Sequence, residues 1–165
     1  MKAKRLLRNA LLTAALVLYA CTAVRAQDQL RPFNTNSLDA IVQQHAGKPF
    51  VLALWSIHCL PCREEMAYWN DLRRRYPQVP IVLVSTDLPE EWSDVRRFLS
   101  RYDPGPVERW AFADEYVERL RYAIDRKWHG ELPRTYFYDA NHVVQGRSGK
   151  LDIAWLTDWF NRHAK

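Results

Sequence analysis

The sequence predicts an α/β domain with a mostly parallel central sheet, an antiparallel edge hairpin and helices on both faces. Three observations predict it. Phe50–Trp55 and Ile81–Val84 are nearly unbroken apolar runs, as in strands buried on both faces. Segments with apolar residues three and four apart alternate with such runs, which places covering helices between parallel strands. Towards the C-terminus, two short strand-like runs are separated by a four-residue turn, as in a hairpin.

Residues 27 to 36 read as a polar, Pro-containing lead-in. Asn36 or Ser37 then caps a short helix carrying Leu38, Ile41 and Val42, closed by Gly47 and Pro49. After the first strand, Met66, Trp69, Leu72 and Tyr76 mark a helix, ended by Pro77. Counting back four from Met66 puts Cys62 on its buried stripe, while Cys59 falls at its tip. Ile81–Val84 is the second strand. Asp87 and Pro89 open a helix with Trp92, Val95, Phe98 and Tyr102 on one face, broken by Asp103-Pro104-Gly105-Pro106. Arg109–Phe112 is a short strand, and Asp114 caps a helix carrying Val117, Leu120 and Ile124.

Leu132-Pro133 introduces Thr135–Tyr138, which pairs with Val143–Arg147. Leu151 and Leu156 flank Asp152 as a hydrophobic staple for the last helix, which packs through Ile153, Trp155, Leu156, Trp159 and Phe160. There is no internal repeat, and residues 27–165 make one domain. Trp92 and Trp128 are expected at the surface, as marks of a partner site.

The first 26 residues differ from the rest. Lys2, Lys4, Arg5 and Arg8 precede an apolar run from Ala10 to Ala20, and Val24-Arg25-Ala26 follows. That order is a secretory signal peptide, with cleavage after Ala26 and a periplasmic or other extracytoplasmic destination. The run is short for a membrane span, which needs about 20 residues, so an uncleaved membrane anchor is the weaker reading. Leu18-Tyr19-Ala20-Cys21 also matches a lipoprotein cleavage box, apart from bulky Tyr19, so a lipid tether at Cys21 is the competing reading.

The chain has 24 Lys and Arg against 19 Asp and Glu, and five of the basic residues lie in the leader. Residues 27–165 are therefore formally neutral. The basic pI of about 9.2 belongs to the precursor and gives no reason to expect nucleic acid as a partner. Beyond the leader, only Cys59 and Cys62 remain of three cysteines. A small exported protein stapled by disulfides would carry several pairs at longer spacing, whereas one close pair points to redox work.

Trp55-Ser56-Ile57-His58-Cys59-Leu60-Pro61-Cys62 sits where a buried strand gives way to a helix. There the first thiol meets the unpaired N–H groups and positive end of the helix, which favour its thiolate. Only a thiolate attacks a disulfide, so Cys59 is the nucleophile and Cys62, one turn on, resolves the mixed disulfide. Pro61 suits a first helical turn. Structural zinc would need two more ligands, and His58, His129 and His142 do not fall in zinc spacing. Haem attachment needs histidine where Arg63 stands. A copper carrier using Cys59, Cys62 and one histidine, and an inert disulfide, remain as alternatives. No cofactor or resident metal is expected.

Trp-x-x-x-Cys-x-Pro-Cys after a buried strand resembles the thioredoxin superfamily, and the details are similar to its exported TlpA/ResA-like branch. Cys62-Arg63-Glu64-Glu65 resembles that branch's Cys-x-x-Glu. The short strand Trp110–Phe112 followed by Asp114 looks like its insertion. Gly130-Glu131-Leu132-Pro133-Arg134-Thr135-Tyr136-Phe137-Tyr138-Asp139 is similar to its Gly-x-x-Pro-x-Thr-x-Phe-x-Asp, with Gly149 where a later glycine is usual. The match covers roughly residues 35 to 165.

The resemblance implies a thioredoxin fold, a cis Pro133 facing the cysteines, and Leu132 offering its backbone to a substrate strand. It adds Glu65 and Pro133 to Cys59 and Cys62 as active-site residues, with Trp55, His58, Leu60, Pro61 and Leu132 facing the substrate. Glu65 has a second reading as a solvated acid that suits the helix dipole.

Two departures stand out. Where thioredoxins carry a buried aspartate, and branch relatives often asparagine, this sequence has Ala53. Proton transfer then falls to Glu65, water or the substrate. His58 directly before Cys59 is unusual, and it either favours the thiolate or sets partner choice.

The implied function is reduction of disulfides in exported partner proteins, with a membrane thiol-disulfide donor restoring the dithiol. An oxidant or isomerase with the same site is the other direction, because potentials of this fold run from about −270 to about −120 mV.

Overall fold

The computed structural model of the protein describes residues 29–102 and 105–164. The leader with Cys21, and the Asp103-Pro104 break, lie outside the described residues. Strands β1 (Leu30–Phe33), β2 (Phe50–Trp55), β3 (Ile81–Ser85), β4 (Glu108–Phe112), β5 (Arg134–Tyr138) and β6 (Val144–Ser148) form one sheet, in the order β1-β4-β3-β2-β5-β6. The pairs β1–β4, β4–β3 and β3–β2 are parallel. The β5–β6 hairpin joins β2 antiparallel, with Ala53 opposite Thr135 and Leu54 opposite Arg134.

Helices α1 (Ser37–Gln44), α2 (Leu60–Arg75), α3 (Trp92–Tyr102), α4 (Val117–Ile124) and α5 (Ile153–His163) cover both faces. The side-chain alternation of β2 divides the core in two. Val51, Ala53 and Trp55 join Cys62, Met66 and Trp69 of α2, Val95 and Phe98 of α3, and Leu156, Trp159 and Phe160 of α5. Phe50, Leu52 and Leu54 join Ile41 of α1 and Leu120 of α4 on the other face. Because every residue of β2 is buried, the strand carries no polar alternation, which is why its apolar run was readable as a central strand.

The segment expected as a lead-in is in part a strand. Residues 30–33 pair with β4 in parallel, burying Leu30 and Phe33 while Arg31 and Pro32 stay nearer solvent. Only two of its four residues are apolar and buried, so the run is too short for a periodic signal, and Pro32 is tolerated because the strand is an edge. The strand expected near Trp110 lies inside the sheet, between β3 and β1.

Three smaller expectations are corrected. Asp114 is not the cap of α4. It accepts a bond from the Tyr116 N–H, one turn earlier than the helix proper. Ile153 is half exposed rather than part of the packing side, because it occupies the first turn of α5 beyond the reach of the core. Trp92 and Trp128 are not surface marks. Trp128 is buried and donates to the Glu131 carbonyl, and half-buried Trp92 donates to the Phe112 carbonyl. The staple reading of α5 holds: Asp152 accepts from the Trp155 N–H, and Leu151 and Leu156 are both buried.

Candidate active site

Pro61 and a half-buried cysteine at the N-cap position start α2 directly after the β2 turn. Cys59 and Cys62 are disulfide-bonded, with S–S 2.06 Å and Cα atoms 5.3 Å apart. Cys59 is the cap, and its sulfur accepts a bond from the Cys62 N–H at 3.2 Å. Cys62 is buried in the α2 stripe, as the four-residue count predicted. The Cys59 sulfur therefore sits at the N-terminus of a sixteen-residue helix, among its unpaired N–H groups.

The loop before Cys59 is held by a residue that sequence reasoning took only for a helix start. Asp87, 3% exposed, follows β3. Its Oδ1 accepts from the Ser56 hydroxyl at 2.6 Å, and its Oδ2 accepts from the Ile57 N–H at 3.0 Å and the Ser85 hydroxyl at 2.5 Å. The Ser56 oxygen in turn accepts from the His58 N–H at 3.0 Å. The signal available in the sequence was the pairing of small hydroxyl residues with an acid at the C-terminal ends of adjacent strands, Ser56 after β2 and Ser85-Thr86-Asp87 after β3. No local pattern announced it, because the partners are 31 residues apart.

His58 is exposed, with Nε2 2.5 Å from Glu91 Oε1. Its pKa is raised, first by the hydrogen bond to Glu91 and then by that carboxylate's charge. Ligand atoms of His58, Asp87 and Glu91 lie within 4.8 Å of one another. In this arrangement both Asp87 oxygens are already bonded and Glu91 is already paired with His58, so the group is accounted for by hydrogen bonds.

Glu65 is not a solvated acid. It is 2% exposed on the inward side of α2, and its Oε1 accepts from the Leu151 N–H at 2.8 Å, joining α2 to the cap of α5. Burial raises its pKa from 4.5 to about 7, against the Leu151 bond and the Lys150 charge, which favour the anion. The folded protein thus binds more proton here than the unfolded chain between pH 4.5 and about 7. Stability from the uncharged carboxyl is full below 4.5 and is lost as pH rises through about 7. Urea unfolding of wild type minus Glu65→Gln should therefore fall by an amount on the order of 3 kcal/mol between mildly acidic and mildly alkaline pH. A pH-independent difference would show that Glu65 titrates normally.

The Leu132-Pro133 peptide is cis, as expected. Arg134 pairs with Leu54, so buried Pro133 stands at the C-terminal end of β2, the end from which the cysteine segment leaves the sheet. The Pro133 carbonyl accepts from the Gly149 N–H at 2.8 Å. Gly149 has φ +80°, a left-handed turn that suits glycine, and this fits its place in the expected pattern. Leu132 is half-buried, while Leu60 and Pro61 are exposed beside Cys59. Trp55 departs from its expected place. It is 2% exposed and packs on Phe98 at 5.3 Å, because it ends β2 on the face that α3 covers. Ala53 lies on that same face, which makes Glu65 a buried acid on the side where the missing one would have stood.

No family profile matches the chain. The ResA thiol-disulfide oxidoreductase of Oceanobacillus iheyensis is 32% identical over 107 residues, 61% of this chain and 50% of that protein. The ResA of Geobacillus thermodenitrificans is 25% identical over 114 residues, 66% of this chain and 61% of that protein. Among solved structures, a thioredoxin-family thiol:disulfide interchange protein of Chlorobium tepidum aligns with a TM-score of 0.61 at 15% identity, covering 75% of this chain and 85% of that one. The chain has a thioredoxin fold and is similar to ResA over part of its length. It spans between half and two thirds of the length of these two ResA relatives. The disulfide follows the C-terminal end of β2, and the cis-proline stands at that same end of the sheet. Strand β4 lies between β3 and β1 in that sheet.

Proposed function

We propose that this chain is an exported thiol-disulfide oxidoreductase that reduces disulfides of partner proteins. The observation that carries the reading is half-buried Cys59 capping α2 in a disulfide with buried Cys62. In the reduced protein, the Cys59 thiolate attacks one sulfur of a partner disulfide, and the partner's second sulfur leaves as a thiolate. Cys62 then attacks the Cys59 sulfur, releasing the partner as a dithiol and leaving Cys59–Cys62 oxidised. A membrane dithiol donor returns two electrons by the reverse exchange.

Glu65 is the buried group able to hold or release a proton near neutral pH while Cys62 ionises, a role that Ala53 cannot fill. Pro133 and Leu132 form the wall against which a partner strand lies, with Leu60 and Pro61 opposite. His58, whose pKa the hydrogen bond to Glu91 raises, favours the Cys59 thiolate when it is protonated. Export rests on the leader, and any tether on Cys21 or an uncleaved leader. No helix among the described residues is long and apolar enough to cross a membrane.

The reduction potential tests the direction. Equilibration of residues 27–165 with defined thiol buffers should give a value near or below that of thioredoxin, about −270 mV. A value near that of DsbA, about −120 mV, would make the protein an oxidant.

A further inference from the structure

A cleft of about 420 Å³ is lined by Ile57 and Arg63, which flank the cysteine pair in sequence, and by Asp94, Arg97, Phe98 and Arg101 of α3. Ile57 lies two residues before Cys59, and Arg63 directly follows Cys62, so the cleft includes residues from both sides of the cysteine pair. On α3, Asp94, Arg97, Phe98 and Arg101 recur three and four apart and share one helical face.

The cleft has three guanidinium groups and one carboxylate. Asp94 pairs with Arg97. Arg63 and Arg101 have no carboxylate partner among the described residues. Arg63 instead lies over the Phe98 ring, 5.3 Å from its centroid, and its buried Nε has no hydrogen-bond partner. Phe98 itself packs against Trp55 in a tilted pair at 5.3 Å and stacks on Tyr102 at 4.4 Å, which gives the cleft an aromatic floor. Two guanidinium groups without a carboxylate partner among the described residues, set on an aromatic floor, suit a carboxylate, which arginine binds through parallel N–H bonds. Whatever enters arrives with its disulfide at Cys59, so the fitting ligand is a side chain a few residues from that disulfide in the partner's own chain.

We propose that this cleft receives an acidic side chain flanking the partner disulfide, so that disulfides in acidic segments are the preferred substrates. The proposal rests on the oxidoreductase reading and names its substrate class.

The test uses two synthetic cyclic peptides with the same single-disulfide ring, flanked by three glutamates or by three glutamines. The reduced protein should reduce the glutamate peptide about tenfold faster at low ionic strength, with the ratio shrinking in high salt. Arg101→Lys should keep most of that ratio, and Arg101→Glu should bring it to about 1 or below, the outcome expected when a like charge replaces an attractive one. Arg101 is exposed, so these variants leave the core intact. Equal, non-zero rates for the two peptides in the wild type, or an unchanged ratio in Arg101→Glu, would overturn the proposal.

Fluorescence anisotropy of both peptides on the oxidised protein separates this proposal from the reading beneath it. Tighter binding of the glutamate peptide here, with neither peptide reduced by the dithiol form of the protein, would leave the cleft standing and remove the redox assignment. Equal binding would remove the cleft.

Discussion

Cys59→Ser should abolish disulfide exchange, lowering the rate by at least about 10³-fold, the scale on which losing a nucleophile acts. Cys62→Ser should behave differently. Its Cys59 still attacks, but the mixed disulfide has no internal resolving thiol, so partner proteins accumulate covalently on Cys59. The asymmetry follows from position. Cys59 caps α2 and is half-buried, whereas Cys62 is buried one turn further in, where a partner disulfide does not reach it first. Non-reducing electrophoresis followed by mass mapping of the linked cysteine reads the result. Equal trapping by both single variants would show that either sulfur can start the reaction. A protein that loses bound copper in both variants and traps no partner would be a metal carrier instead.

The second large effect is expected at Asp87. Asp87→Ala leaves the Ser56 and Ser85 hydroxyls and the Ile57 N–H without their buried acceptor, and should cost about 3 to 4 kcal/mol. Asp87→Asn keeps one carbonyl oxygen but turns an amide against a donor, and should cost about half as much. Urea unfolding measures both. Amide exchange at Ile57 and His58 should quicken in the same variants, because the bonds that Asp87 makes hold the reactive loop against β3. Unfolding midpoints of Asp87→Ala within experimental error of wild type would show that water replaces the carboxylate there.

Much of this fold was legible because burial on both faces of β2 and β3 leaves unbroken apolar runs, and because the α2 stripe fixes Cys62 by counting. The cis-proline segment was legible through resemblance, and Thr135 and Phe137 of that pattern are indeed buried beside β2. What escaped was set by contacts distant in sequence. Leu30–Phe33 becomes a strand only because β4 offers it an edge. Asp87 reads as an ordinary helix-opening acid until β3 is laid beside β2. Trp55 belongs to a motif that borders the reactive cysteines, yet its ring is claimed by Phe98, a partner 43 residues on that no local rule names.

The direction of β1 fixes how the protein can be held. β1 runs parallel to β4, β3 and β2, so Leu30 stands at one end of the sheet and Cys59 emerges from the other. An anchor attached ahead of Leu30 therefore grips the domain from behind. The eight residues between Cys21 and Leu30 span at most about 28 Å when fully extended, a short leash. A lipid on Cys21 would keep the body near the bilayer with its disulfide turned outward, towards soluble partners. An electron donor embedded in that same membrane would then have to reach up and around the domain to meet it.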